Sequence, residues 1–533
     1  MKKLNLKKRW IFFFFLTVLA IFCLSILNCN PGESNNNQAE IPVNIAPVHA
    51  DVLNFIRQEL QSDKVPGCAI AIVTNRTLSN ASGVGEKNHG QQDEVRPDTY
   101  FLSCSIAKML TAGAVMTLVD EGKVDTDAPV TNYVSYFSLR NPFNPSDITV
   151  HHCLTHTSGI PDYIEVNCSP HWEALSRWFR NNTDFPLWSP PGRLWNYSNL
   201  GYSLAGLIVQ EVSGQPFPTA MKQRIFTPAG MTAPTYSANE VIVRGNYAVG
   251  HVFDGEKIVS TVKPDTFQCA LAQPPGFLFI SAMDMAHFCE VLLSGGGDVL
   301  SRDSVNMMKD QLVDTHQLPG QYYGYGLVNV DFNAFSLVFH SGGFWGFRTF
   351  LCLVPEYDFG VVVMVNADNY DPFLIAEKAI STYLDLPEVE YEAIITSPDT
   401  WGIYTGKYND PYELGEFDVY QDSEKRLWVN FIDLDLTTEL LQISRDYFYF
   451  DISDDESQQV DVGVTFFFDD DGKVEYFATR VGVGKRVEAD ESAESPDLVK
   501  HLPPISREAR LKIIKQKAKR IPEIFSHFDV LTL

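Results

Sequence analysis

Ser105-Ile106-Ala107-Lys108 places a hydroxyl and an amine three residues apart at the entrance of an apolar helical run, Ile106 to Asp120, that Glu121-Gly122 ends. Residues three apart on a helix share a face, so the amine reaches the hydroxyl. A serine hydroxyl at its ordinary pKa is a weak nucleophile and needs an adjacent base. A lysine in a partly buried site loses its proton near neutral pH and can be that base. The same spacing is commonplace on solvated helix faces, but the approach Tyr100-Phe101-Leu102-Ser103-Cys104 is too apolar for one. Two further segments carry chemistry. Tyr197-Ser198-Asn199 follows Pro190-Pro191-Gly192 and opens a helical pattern, Leu200 to Val212, that stops at Ser213-Gly214. A phenol and an amide at a helix entrance can both face a cleft, or serve as a capping aromatic and an N-cap. His340-Ser341-Gly342-Gly343 ends a strand; its glycines either let a substrate approach the backbone closely or form a hairpin turn.

In order and approximate separation these segments resemble those of the serine β-lactamase and penicillin-binding-protein superfamily, its class C and esterase branch in particular, over about residues 50 to 390. Supporting phrases run alongside: Val65-Pro66-Gly67, Glu121-Gly122-Lys123-Val124, Leu154-Thr155-His156-Thr157-Ser158-Gly159-Ile160, Pro274-Pro275-Gly276 and Tyr323-Gly324-Tyr325-Gly326-Leu327. The resemblance implies Ser105 as nucleophile, Lys108 as its proton partner and Tyr197 as the phenol that relays a proton to the leaving group. Asn199 would orient Lys108 and the substrate, His340, Ser341 and Gly342 would bind substrate, and the N–H groups of Ser105 and Gly343 would form the oxyanion hole. Relatives usually carry Lys-Thr-Gly where this chain has His340-Ser341-Gly342, so a permanent cation is replaced by a group mostly neutral at pH 7. Esterase and D-amino-acid peptidase relatives often carry this histidine form. No cofactor is implied. His152 and His156 are four apart, but a zinc site needs a third ligand that no motif supplies, so no metal is expected.

The elements needed to hold such a site are legible. Between about residues 49 and 390 helical and strand patterns mix: Val52 to Leu60 and Ile106 to Asp120 are helical, whereas Cys68 to Val73, Phe335 to His340, Phe347 to Val354 and Gly360 to Asn366 are strand-like. The short gaps between the last three, at Gly342-Gly343 and Pro355 to Asp358, imply antiparallel neighbours. The expected class is α+β: an antiparallel sheet flanked by helices, with an all-helical subdomain. From 391 to 490 short β-branched and aromatic runs (Glu416 to Gln421, Arg426 to Phe431, Tyr447 to Phe450, Val462 to Phe468, Val474 to Arg480) predict a small all-β, barrel-like module resembling the lipocalin-like appendage of some relatives. Asp469 to Gly472 reads as a hairpin turn. The tail, 491–533, holds a basic helical pattern with Arg507, Arg510, Lys512, Lys515, Lys517, Lys519 and Arg520, by default a solvated face.

At 533 residues the chain fits two or three modules of roughly 150 residues. A net charge of −26, from 41 basic and 67 acidic residues, repels phosphate backbones and excludes nucleic acid as a partner. Nine cysteines without a C-x-x-C pair suggest neither a disulfide framework nor a zinc cluster, and most sit in apolar runs as small core residues. Residues 1–29 combine Lys2, Lys3, Lys7, Lys8 and Arg9 with an apolar run from Trp10 to Leu27, a secretory pattern. Ile26-Leu27-Asn28-Cys29 resembles a bacterial lipobox, with Asn28 replacing the usual small residue, so Cys29 is the expected lipidation site. An uncleaved anchor is the alternative, and either one tethers the chain outside the cytoplasm through a flexible segment, 30–48.

Together these readings describe an exported, membrane-anchored lipoprotein that acts as a serine hydrolase on a small-molecule ester, amide or D-peptide through a Ser105 acyl-enzyme, of esterase or D-amino-acid peptidase type. A β-lactamase or D,D-carboxypeptidase is the nearest alternative, and a catalytically silent binding lipoprotein the alternative from another class. Lipidation at Cys29 predicts that the full chain partitions into a detergent phase and that Cys29→Ser abolishes this; unchanged partitioning points to an uncleaved helix.

Overall fold

Cys68 to Val73 is apolar without a break, as suits a strand covered on both faces. It forms the centre of β1 (Gly67–Thr74), in which every residue but the last is buried. The computed structural model describes residues 45–62, 65–163, 167–254, 257–387, 394–452 and 461–487. The expected signal segment with Cys29, the tether up to residue 44, the boundary near 390 and the basic tail all lie outside them. Among the described residues no helix is long and apolar enough to cross a membrane. Residues 45–48, expected as tether, instead run along β2, with the Ala46 N–H donating to Ser79 O at 3.1 Å and Val48 buried.

The main sheet adds β2 (Thr77–Gly85), β3 (Val313–Asp314), β4 (Gln321–Tyr323), β5 (Val328–Asp331), β6 (Ser336–Phe344), β7 (Phe347–Val354) and β8 (Phe359–Val365). All pairs are antiparallel, in the order β2-β1-β8-β7-β6-β5-β4-β3. Because strand side chains alternate, Cys68, Ile70 and Ile72 pack with helices α1 (Ala50–Ser62) and α6 (Phe373–Tyr383) on one face. Ala69, Ala71 and Val73 face the other side, where α2 (Ala107–Asp120), α3 (Val150–Leu154), α4 (Asn199–Ser213) and α5 (Ala282–Leu293) lie. In α2 every residue from Ala107 to Leu118 is buried, Lys108 included. A helix apolar all round belongs inside, and α4, buried from Asn199 to Gln210, packs beside it. Ser198 caps α4 by accepting from the Gly201 N–H at 3.0 Å, and Gly214 ends it in the left-handed region, φ 64°.

The C-terminal module is a closed, up-and-down barrel of eight strands: β9 (Gly406–Asp410), β10 (Gly415–Gln421), β11 (Leu427–Phe431), β12 (Leu436–Ser444), β13 (Tyr447–Asp451), β14 (Asp461–Phe468), β15 (Val474–Ala478) and β16 (Val483–Val487). Closure leaves no open sheet edge. Side chains fill the interior, among them Tyr408, Phe417, Phe431, Phe448, Phe466 and Phe477. The barrel docks on the segment before α4: Trp188 and Leu194 pack with Phe467, Tyr476, Ala478 and Val483. Arg193 Nε donates to Glu475 Oε2 at 2.8 Å, and Asn196 Nδ2 to Thr479 O at 3.1 Å.

Two expectations need correction. Cys168 and Cys269 form a disulfide between positions 101 residues apart. They lie in Asn167-Cys168-Ser169 and Gln268-Cys269-Ala270 rather than in apolar runs, and the backbone bond from Ala270 N–H to Ser169 O holds the two loops together. Strands β9, β12 and β16 carry weak strand signals in the sequence: in β9 a single apolar residue, Tyr408, stands among Gly406, Lys407, Asn409 and Asp410. Gly342-Gly343 is not a turn: β6 continues to Phe344 and the chain turns at Trp345-Gly346.

Gly342 is there for close approach. A Cβ on it would stand 2.3 Å from Thr349 Oγ1 and 2.8 Å from both Cys104 Cβ and the Ser105 nitrogen. Gly342→Ala must therefore push β6 off the turn that carries Ser105, an overpacking cost of about 1–3 kcal/mol. The expected result is a lowered thermal midpoint together with slower reaction of Ser105 with a phosphonylating probe; wild-type values for both would contradict this packing.

Candidate active site

Ser105 is aimed by a strained turn. Cys104 adopts φ +49°, a conformation that costs a non-glycine residue of order 1–3 kcal/mol and persists only where its surroundings enforce it. Here Thr349 Oγ1 donates to Ser103 O at 2.8 Å and Ser103 Oγ donates to Gly276 O at 3.0 Å. The turn Cys104–Ile106 then leads directly into α2 and leaves Ser105 half-buried at its entrance. One helical step on, Lys108 is fully buried, with its Nζ 3.1 Å from Ser105 Oγ, 2.8 Å from Asn199 Oδ1 and 2.9 Å from Pro275 O. Burial holds its amine well below the ordinary lysine range; Asp162 opposes that shift and Arg480 reinforces it.

Tyr197 is buried beside them, within hydrogen-bonding reach of Ser105 and with its ring centre 4.7 Å from Lys108 Nζ. Burial pushes its phenol above the ordinary range, so it stays protonated at neutral pH. Asn199 is fixed from the other side. Asp162 Oδ1 accepts from both its backbone N–H, at 2.9 Å, and its Nδ2, at 2.8 Å. That orientation leaves Oδ1 of Asn199 facing Lys108. The carboxylate also meets the positive end of α4. Asp162 Oδ2 accepts from Arg480 Nη2 at 3.0 Å, and the Arg480 guanidinium lies 4.2 Å from the Tyr197 ring centre.

His340 is 1% exposed, and its ring does not open toward a substrate as expected. Its Nδ1 lies 2.6 Å from Ser341 O, which only accepts, so Nδ1 carries the hydrogen. Its Nε2 is then the acceptor for the Tyr323 hydroxyl at 3.1 Å. His156 completes the row: the Ser198 N–H donates to its Nδ1 at 3.0 Å, so its Nε2–H donates to Tyr323 at 3.1 Å. The network is fully satisfied with both imidazoles neutral. Burial pulls His340 down to about 3 and His156 well below its ordinary value, with Lys108 adding to each shift. His156 also stacks on Tyr197, centroids 4.2 Å apart, and takes φ +62° to do so.

The structure thus brings Ser105, Lys108, Tyr197, Asn199 and Gly342 together, and puts His340 behind the strand as a support. Ser341 and Gly343 are half-exposed on β6. Pairing of β5 with β6 stops at Phe339, so residues 340–344 keep an open edge. His151 and His152 serve Tyr325 and the cap of α3, and among the described residues no three His, Cys, Asp or Glu side chains are grouped to hold a metal. Sequence reasoning assigned no role to His156, Asp162, Tyr323 or Arg480. His156 and Tyr323 stand in phrases already singled out; Asp162 and Arg480, 318 residues apart, carried no local signal.

Residues 52–381 match the family described as Beta-lactamase. The chain is 30% identical over 318 residues to penicillin-binding protein 4 of Amycolatopsis lactamdurans, covering 57% of this chain and 81% of that protein. It is 27% identical over 327 residues to protein flp of Staphylococcus aureus, covering 60% of this chain and 64%, just under two thirds, of that protein. Among solved structures, an octameric penicillin-binding protein homologue from Pyrococcus abyssi superposes with a TM-score of 0.57 at 24% identity, covering 82% of this chain and 99% of that one. A structure of SurE with D-Leu gives 0.61 at 21% identity, with the same coverage. These two share the fold, and their coverage of this chain exceeds that of the curated relatives.

The two buried imidazoles generate a prediction. Their folded-state values lie below the ordinary 6.5, so the unfolded chain binds protons that the folded one refuses. The contribution of His340 to stability is therefore complete above about pH 6.5 and is lost as pH falls toward about 3, and that of His156 is lost in the same direction. In ¹⁵N-histidine NMR spectra, His340 is expected as the Nδ1–H tautomer and His156 as the Nε2–H tautomer, neither titrating while the protein stays folded. A His340 signal that titrates near its ordinary value would refute the assignment.

Proposed function

We propose that this chain, which belongs to the beta-lactamase family, is a serine hydrolase that opens small esters and neutral amides, D-peptides included, through a Ser105 acyl-enzyme. The observation that carries the reading is the set of acceptors around Lys108. Asn199 Oδ1 and Pro275 O can only accept, and they occupy two N–H bonds of the amine. In the neutral amine, which burial favours, the remaining position is the lone pair, and it points at Ser105 Oγ. After proton transfer the same position holds the third N–H of an ammonium. Both protonation states are satisfied without movement, as a general base requires.

In acylation Ser105 Oγ attacks the substrate carbonyl carbon and its proton passes to Lys108. The N–H groups of Ser105 and Gly343 receive the oxyanion, a contribution worth several kcal/mol. Tyr197, still a phenol, relays a proton to the leaving oxygen or nitrogen as the C–O or C–N bond breaks. Water then attacks the acyl ester, its proton returns through the same groups, and Ser105 is regenerated. Lys108 rather than Tyr197 is the base, because burial lowers the cost of the neutral amine and raises the cost of a phenolate.

Substrate class follows from charge. The strand position that holds lysine in relatives is a buried neutral imidazole here, and the nearby guanidinium of Arg480 is matched by Asp162. A substrate carboxylate gains little net attraction from such a site. The basic and apolar N-terminal pattern, with its lipobox-like Cys29, supports export and a lipid tether as part of the same proposal.

A fluorophosphonate probe is expected to label Ser105 covalently, and Ser105→Ala to abolish labelling and turnover. The wild type should show a higher kcat/KM for a short-chain nitrophenyl ester than for a chromogenic cephalosporin. Equal labelling of the alanine variant would remove the nucleophile, and efficient cephalosporin hydrolysis with little ester turnover would restore the β-lactamase reading.

A further inference from the structure

Among the described residues the barrel reaches the catalytic groups at the β15–β16 hairpin. Its turn is rigid: Thr479 Oγ1 accepts from the N–H groups of Val481, at 3.1 Å, and Gly482, at 3.0 Å. Asn196 clasps it from the segment leading to Tyr197. From this turn Arg480 extends between the modules, its side chain 23% exposed, to meet Asp162. The bonded path is then unbroken: Arg480 to Asp162, Asp162 to Asn199, Asn199 to Lys108, Lys108 to Ser105. We infer that the barrel is part of the catalytic site, with Arg480 as a positioning residue that holds Asp162, Asn199, Lys108 and the Tyr197 ring in reactive register. This rests on the acyl-enzyme reading above.

A simple docking contact would not need this arrangement. Arg193 and Glu475 already bridge the modules without touching a catalytic group. Arg480 instead buries its Nε without a partner among the described residues. An unsatisfied buried donor is costly, and docking alone gives no reason to accept that cost beside a nucleophile.

Electrostatics give the inference a distinctive readout. The groups facing Lys108 are the Cys104 thiol, the Tyr197 and Tyr202 phenols, the His156 and His340 imidazoles, Asp162 and Arg480. Burial keeps the thiol, phenols and imidazoles neutral through the physiological range. The charges that act on the amine are therefore those of Asp162 and Arg480, and they oppose one another. With Arg480 removed, Asp162 acts alone and Lys108 keeps its proton to higher pH.

The test is the rate of fluorophosphonate labelling of the full chain as a function of pH, with folding followed by thermal melts. In Arg480→Met the rising limb should move up by about one pH unit, a loss of up to about tenfold at a pH on that limb. Arg480→Lys keeps the charge without the fork, so its limb should stay in place under a lowered plateau. In Arg480→Met/Asp162→Asn both charges are gone and the limb should return toward the wild-type position. Glu475→Gln, which weakens the docking pair with Arg193 and the contact with the exposed Lys485, should leave limb and plateau unchanged. A wild-type limb and plateau in Arg480→Met overturn the inference, as does an equal loss at every pH shared by Glu475→Gln. If the methionine variant does not fold, a wild-type plateau in Arg480→Lys overturns it. Absence of labelling in the wild type would instead defeat the acyl-enzyme reading itself.

Discussion

The constraint on which the rest depends is the burial of the Lys108 amine. An ammonium removed from water without compensation costs several kcal/mol even after relaxation, so the fold keeps the amine neutral or surrounds it with acceptors, and it does both. Asn199 Oδ1 and Pro275 O come from elements distant in sequence, and each is held in turn. Asn199 is oriented by Asp162 at the head of α4, and Pro275 belongs to the stretch whose Gly276 carbonyl receives Ser103 Oγ. The packing of α2 against α4, the strained turn at Cys104 and the close approach of β6 all bring a serine to the open side of that amine.

Around it the interior is built from groups that burial holds neutral. His156, Tyr323 and His340 form a closed set of donors and acceptors in which no proton is missing or in excess. That set supports the site in two ways: His156 stacks on the Tyr197 ring, and His340 anchors its own strand through Ser341 O. A lysine at position 340 would carry a charge into that set, where Tyr323 could stabilise it only by reversing its hydrogen bond. The histidine is thus a packing solution as well as a change in what the site attracts.

Much of this was legible in the sequence wherever the signal was local. An apolar helix with no polar face marked α2 as buried, and Ser213-Gly214 marked the end of α4, whose N-cap is Ser198 and not the Asn199 the sequence offered. The apolar runs of β1, β7 and β8 marked strands of the sheet. Legibility failed where one residue type serves two purposes. Gly342-Gly343 reads equally as a turn or as a close approach, and only the neighbouring Ser105 nitrogen decides between them. It failed again for strands such as Gly406–Asp410, whose polar face looks like a loop, and for Cys168 with Cys269, whose surroundings are polar. Most of all it failed for Asp162 and Arg480, because a contact across 318 residues leaves no pattern at either end.

That last contact explains why a barrel suits the task better than a loop. Misplacing a catalytic group by about 1 Å can cost of order a hundredfold in rate, so a cation meant to set the register of the site has to arrive on a stiff support. The barrel is closed, its lumen is filled with rings, and the hairpin that carries Arg480 is tied to the catalytic domain at its turn, where Asn196 donates to Thr479 O. A free arginine side chain carries about 2 kcal/mol of rotamer entropy. Fixing the side chain against Asp162 and the Tyr197 ring removes that freedom when the two modules fold together, before any substrate is present, so the ordering cost does not fall on the chemical step.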